Sequence, residues 1–185
     1  MIDMILNKQD LKNYIKADME FYYKQSRWDR FIYRITEDPV SLIARYLRYM
    51  RKEEYYFNSG KGKWGKVCYL FYFRKKNHLG NRLGFKIPKN TFGPGLTIFH
   101  HGEIIVNESA KVGANCRLHG GNCIGNDGIR DCSPYIGDNL DLGIGAKIIG
   151  DVHLGNFVRI GANAVVTKSF EEDSITLVGI PARKI

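Results

Sequence analysis

The side chains of this 185-residue chain best suited to chemistry are its histidines, above all the adjacent pair His100 and His101 and the isolated His119 and His153. Imidazole titrates near neutrality, so it can take a proton from an attacking hydroxyl and hand it on to a leaving group. The four cysteines, Cys68, Cys116, Cys123 and Cys132, form no CxxC pair and no zinc-like spacing, which points to reduced thiols. Residue type alone assigns nothing: a lone histidine is more often a satisfied structural residue than a catalyst. The elements that carry it must decide.

Those elements are set by a repeat. Counting in sixes from Pro88 gives Pro94, His100, Val106, Val112, Leu118 and Ile124, and the count resumes as Ile136, Leu142, Ile148, Leu154, Ile160 and Val166. Glycine often follows, as at Gly113, Gly137, Gly143, Gly155 and Gly161, and four places on the residue is mostly small or aliphatic, as at Ala110, Cys116, Ala146, Val158 and Ala164. Such hexads predict a solenoid of short parallel strands and tight turns, with aliphatic side chains stacked inward. His100 falls where the repeat otherwise takes an aliphatic residue or proline. His101 and His119, eighteen residues apart, fall three hexads apart and are expected to stack coil on coil, either lining a pocket beside His100 or forming a surface ladder. Residues 126–135 abandon the repeat, as an external loop on a binding face would.

The charge is uneven. Residues 1–87 hold 19 Lys and Arg against 9 Asp and Glu, whereas residues 88–185 hold 9 against 10, and ten of the eleven tyrosines and both tryptophans also precede the solenoid. The chain therefore divides into a basic, aromatic helical domain (1–87), the solenoid (88–171) and a tail (172–185). No nucleic-acid-binding motif accompanies the basic region, so nucleic acid is not expected. The start of the chain lacks the apolar run of a signal peptide and no stretch is long enough to span a bilayer, which leads us to expect a cytoplasmic location.

Within the first domain, Asp10 is a candidate N-cap for a helix through Leu11, Tyr14, Ile15, Met19 and Tyr22. Asp38-Pro39 opens a second helix with Leu42, Ile43, Tyr46, Leu47 and Met50 on one face and Arg45, Arg48, Arg51 and Lys52 largely on the other. A third helix is expected from about Lys63 to Asn77, and Gly80 to Gly84 is expected to link it to the solenoid. That third helix, aromatic and basic, suits either an anionic surface or packing on a neighbour; packing is the preferred reading, with peripheral membrane contact second.

From about Leu83 onward the chain resembles the serine acetyltransferase branch of the hexapeptide-repeat acyltransferases. The matching segments are Gly93-Pro94-Gly95-Leu96-Thr97-Ile98-Phe99-His100, Gly143-Ile144-Gly145-Ala146-Lys147-Ile148-Ile149-Gly150, Ile160-Gly161-Ala162-Asn163-Ala164-Val165-Val166-Thr167-Lys168 and Gly179-Ile180-Pro181-Ala182-Arg183. The resemblance implies a mainly β fold, a left-handed parallel β-helix behind a small α-helical domain. It also implies a homotrimer with active sites between neighbouring solenoids, with pairing of trimers through the helical domain as a further option, and acetyl-CoA as donor with no metal.

On that resemblance His100 matches the general base, and His101, His119, Asp127 and Arg130 are candidates for the acceptor pocket. Ala146, Ala162, Thr167, Lys168 and Arg183 match positions along the CoA. The chain also departs from the family. Its base-orienting aspartate aligns near Phe85, the aspartate just before the base aligns with Phe99, and Cys132-Ser133 stand where arginine and histidine precede the proline. A pocket for free serine must satisfy an ammonium and a carboxylate, and buried charges without partners are costly. The expected acceptor is therefore an uncharged hydroxyl, a sugar of a surface polysaccharide or its precursor, with serine as the alternative and Asp127, Asp131 or Glu103 as replacement orienting groups. Some trimeric β-helices instead hold zinc between subunits through histidines. His101, His119 and His153 would be the ligands in that less favoured reading, and a non-catalytic scaffold is a further one.

Overall fold

The computed structural model describes residues 4–24, 26–129 and 132–185. Four helices come first. In α1 (Lys8–Met19) the cap is Asn7, whose side chain accepts from the N–H of Gln9 and Asp10, while the Asp10 carboxylate accepts from the N–H of Asn7. Asp10 is thus the far side of a capping box and not the N-cap. A second helix, α2 (Arg27–Ile35), is capped by Ser26 and was not foreseen; it buries no residue, so no core-facing stripe betrays it.

The long helix α3 (Pro39–Ser59) starts where Asp38-Pro39 places it, and Leu42, Ile43, Tyr46, Leu47 and Met50 are all buried. Arg51 corrects the expected polar face, since it is 1% exposed. Helix α4 (Gly62–Leu83) runs past Asn77, and Gly80 does not break it. A Cβ at Gly80 would lie 2.7 Å from the Phe85 carbonyl and 3.3 Å from the Tyr46 ring, so glycine there permits close packing. The helix stops instead at Gly84, left-handed at φ 80°.

The rest is a three-faced parallel coil. Face A stacks the strands Phe85–Lys86, Ile104–Val106, Cys123–Gly125, Lys147–Ile149 and Val165–Val166; face B stacks Lys111–Val112, Tyr135–Ile136 and His153–Leu154. Face C stacks Thr97–Ile98, Arg117–Leu118, Asp141–Leu142, Arg159–Ile160 and Thr176–Val178, and Arg183–Lys184 closes its far edge antiparallel. Buried aliphatics pile up inside each face: Ile98, Leu118, Leu142, Ile160 and Leu177 on C, and Val106, Ile124, Ile148 and Val166 on A. Each such side chain contributes about 1.5–3 kcal/mol by leaving water.

The coils are not all eighteen residues long. Thr97 lies opposite Arg117, twenty residues on, and Arg117 opposite Asp141, twenty-four on, before Asp141 and Arg159 restore eighteen. The twenty-four reflects the 126–135 loop. The twenty means that Ile98, not His100, is the stacked residue of the first coil, and that two extra residues enter the turn after it.

The helices close the open end of this coil. Asp18 Oδ1 accepts from the N–H of Gly95 (2.8 Å) and Leu96 (2.9 Å), and the Tyr22 hydroxyl donates to the Ile98 carbonyl (2.8 Å) while accepting from its N–H (3.1 Å). Arg51 donates to the carbonyls of Phe92 (2.9 Å) and Gly93 (2.6 Å) and pairs with Asp18 and Glu54. Burial works against the charge on Arg51, but the two carboxylates outweigh it and raise its pKa. Side chains thus satisfy backbone groups that no further coil could reach. Among the described residues no helix is long and apolar enough to cross a membrane.

Candidate active site

His100 sits on the corner between faces C and A, in the lengthened turn between Ile98 and Ile104. It is exposed and does not occupy the inward position that the six-residue count assigned to it. Its floor is Gly120, where an added Cβ would lie 3.5 Å from the His100 Cβ. Gly120 and Gly121 both have positive φ, and a Cβ on Gly121 would meet Gly145 of the next coil at 3.4 Å. The corner below His100 is therefore bare backbone, packed closely against the turn above and the coil below. Buried Asn122 fixes this corner: its carbonyl oxygen accepts from Gly120 N–H (2.9 Å), and its amide donates to the carbonyl oxygens of Gly143 (2.8 Å) and Ala146 (3.3 Å).

The expected stack of His101 on His119 does not form. With twenty residues in the first coil, Phe99 is the residue above His119, their rings stacked with centroids 4.5 Å apart. Phe21, at the end of the helical segment, packs edge-on against Phe99 at 5.1 Å. His101 is exposed on the turn beside His100. His119 Nε2 lies 2.8 Å from Asp141 Oδ1, with Arg159 Nε 3.9 Å from the other carboxylate oxygen. Asp141 is the residue that sequence reasoning missed. The irregular loop hides a register of twenty-four, so the count never brings residues 119 and 141 together.

Among the described residues no hydrogen bond joins a carboxylate to His100, and the carboxylate–imidazole pair of this corner belongs to His119. Glu103 is exposed in the same turn. Asp127 is on the other corner, between faces A and B, where its Oδ1 accepts from Ile129 N–H and the side chain lies over Gly150. One chain therefore does not bring Asp127 to His100. Arg130 and Asp131 lie outside the described residues.

The donor candidates divide likewise. Ala162 is exposed on the His100 corner, whereas Thr167 and Lys168 are exposed on the Asp127 corner, Lys168 Nζ standing 5.3 Å over the Phe170 ring. Arg183 is exposed on the closing strand. Ala146 is corrected outright: it is fully buried, its N–H donates to Gly143, and its carbonyl accepts from Cys123 and Asn122, so neither group is free for a ligand. His153 stands on face B, 6.0 Å from the Tyr135 ring, so the proposed zinc set of His101, His119 and His153 is not assembled within one chain. Clefts of about 830 and 760 Å³ lie on the helical domain, and one of about 300 Å³ on face C is lined by Asp141 and Arg159 but not by His100. His100 is on an open corner, not in a hole.

No protein-family profile matches the chain. A serine acetyltransferase from Synechococcus elongatus is 36% identical over 116 residues, 60% of this chain and 47% of that one. One from Mycobacterium tuberculosis is 33% identical over 100 residues, 53% of this chain and 43% of the other. The chain thus spans about half the length of the curated relatives it matches. Among solved structures, the serine acetyltransferase of Brucella abortus superposes with a TM-score of 0.68 at 23% identity, covering 96% of this chain and 70% of that one. The Neisseria gonorrhoeae enzyme gives 0.68 at 24%, covering 97% and 68%. The fold is accordingly a left-handed parallel β-helix behind a helical domain. Over its solenoid, the chain is similar in sequence to serine acetyltransferases of the hexapeptide-repeat kind.

Proposed function

We propose that the chain is an acetyl-CoA-dependent O-acetyltransferase with His100 as its general base and serine as its acceptor. One observation carries the reading: on a coil shared with serine acetyltransferases, His100 stands exposed over a glycine floor at the corner between two faces. The imidazole takes the proton of the acceptor hydroxyl as its oxygen bonds to the thioester carbonyl carbon. Carbon–sulfur cleavage then releases the thiolate, which recovers that proton from the imidazolium, and no acyl-enzyme forms. Since the N–H groups of Gly120 and Gly145 are already engaged, the backbone N–H of Gly121 is the candidate donor for the oxyanion. The Asp141 carboxylate holds the His119 ring, which positions His119 and the Phe99 stacked on it as the acceptor wall.

Solved relatives described as complexes with CoA and with serine support the donor and the acceptor. They give no support to the sugar acceptor expected from the sequence. The observation that still favours an uncharged acceptor is Phe99, an apolar ring beside His100 where the family carries an aspartate. The division of Ala162 from Thr167 and Lys168 between two corners supports a trimer in which the corner of one copy faces another.

The test is thiol release from acetyl-CoA with L-serine and with simple sugars. We expect turnover on serine, reduced about 10²- to 10⁴-fold in His100→Ala with the fold retained. Turnover on sugars alone would return the acceptor to the uncharged class, and full activity in His100→Ala would remove the base.

A further inference from the structure

A cleft of about 830 Å³ lies between α2 and α3 and belongs to nothing in the catalytic reading. It is lined by six cations, Arg27, Arg30, Arg34, Arg45, Arg48 and Lys52, and by no carboxylate. Two of them are held in place by one ring: Arg30 stands 4.9 Å over Tyr23, and Arg48 donates to the Tyr23 hydroxyl at 2.7 Å. Arg45 feels the Glu37 carboxylate, which pairs with Arg82, but that leaves the cleft strongly cationic; taking up an anion relieves such a gathering, and cations already fixed in direction suit phosphoryl oxygens.

The rim of this cleft is apolar. Trp28, Phe31, Ile32 and Ile35 follow one another at helical spacing along α2 and are 67%, 52%, 38% and 65% exposed. Phe31 also lines the cleft, and its ring stacks on Trp28 at 5.7 Å. A helix that buries nothing, with aromatic and branched residues along one edge and arginines beside them, has the composition of one lying in a membrane interface. We propose that the α2–α3 cleft binds the phosphoryl headgroup of an anionic lipid, with Trp28, Phe31, Ile32 and Ile35 entering the apolar layer beside it. This inference is independent of His100, and its test reads binding, so it stands or falls apart from the catalytic reading.

The experiment is co-sedimentation of the full chain with vesicles rich in phosphatidylglycerol or made of phosphatidylcholine alone, at low and high salt. We expect binding to the anionic vesicles only, weakened by salt and reduced tenfold or more in Arg30→Gln/Arg45→Gln, since each cation near the surface contributes on the order of 1 kcal/mol. Trp28→Ser/Phe31→Ser is expected to lose vesicle binding as well, with circular dichroism unchanged in both variants. Equal binding to neutral vesicles, or binding indifferent to the arginine changes, would overturn the proposal. So would tight binding of inorganic pyrophosphate that the Trp28→Ser/Phe31→Ser variant retains while vesicles are ignored, because the ligand would then be a soluble phosphate. A fall in oligomer mass in the arginine variant would make the cleft an interface between copies and also overturn it.

Discussion

The helical cap and the solenoid solve the problem of buried polarity in opposite ways. Among the described residues, the solenoid buries no charged side chain, and its buried polar residues are Thr91 and Asn122. The cap buries Asp18, Arg51, Glu53, Glu54 and Lys76. A stacked coil satisfies its backbone by handing each N–H and C=O to the next coil, so it needs only aliphatic filling. Its first coil has no such neighbour, and the cap supplies side-chain oxygens and nitrogens in place of a strand. Charged groups are what reach that edge from a helix.

That contrast can be broken first at Arg51. Arg51→Met leaves Asp18 and Glu54 buried without their partner and frees the carbonyls of Phe92 and Gly93. We expect a loss of about 3–5 kcal/mol, measured by urea unfolding. A loss no larger than that of a surface change would show that the edge does not depend on the cap. Inside the solenoid the equivalent blow is a cavity: Leu118→Ala, at a fully buried stacked position, is expected to cost about 2–5 kcal/mol.

Tyr22→Phe separates the two effects, since it keeps the ring and removes only the hydroxyl that serves Ile98. Burial also raises the pKa of this phenol, so the hydroxyl stays protonated at all ordinary pH and the bond carries no pH dependence. The expected loss is about 1–3 kcal/mol in the same unfolding measurement. The smallest effect is expected at Trp28→Ser, within about 0.5 kcal/mol, because nothing in the fold rests on that exposed ring. A large loss there would mean that α2 packs on something in solution.

The site itself was half legible. The imidazole of His100 could be singled out because the matching segments run straight into it. The His119–Asp141 pair could not be read. Two lengthened coils shift the register, first by two residues and then by six, and a period counted along the chain cannot say in which turn the extra residues sit. The same slip turned His100 from an inward position to an exposed corner and put Phe99, not His101, over His119. In the cap, α2 escaped notice although Trp28, Phe31, Ile32 and Ile35 repeat at helical spacing; what the sequence could not show is that this edge faces outward.

The sequence by itself determined the solenoid, its aliphatic stacks and the break in composition ahead of it, because a six-residue period and a charge imbalance are properties of order along the chain. Only the tertiary structure decided which residues meet across coils, that Arg51 turns inward to close the first coil, and that six cations from two helices share one cleft. Those outcomes depend on register and on the angle at which helices land. Contacts between residues far apart in the chain fix both, and local spacing does not record them.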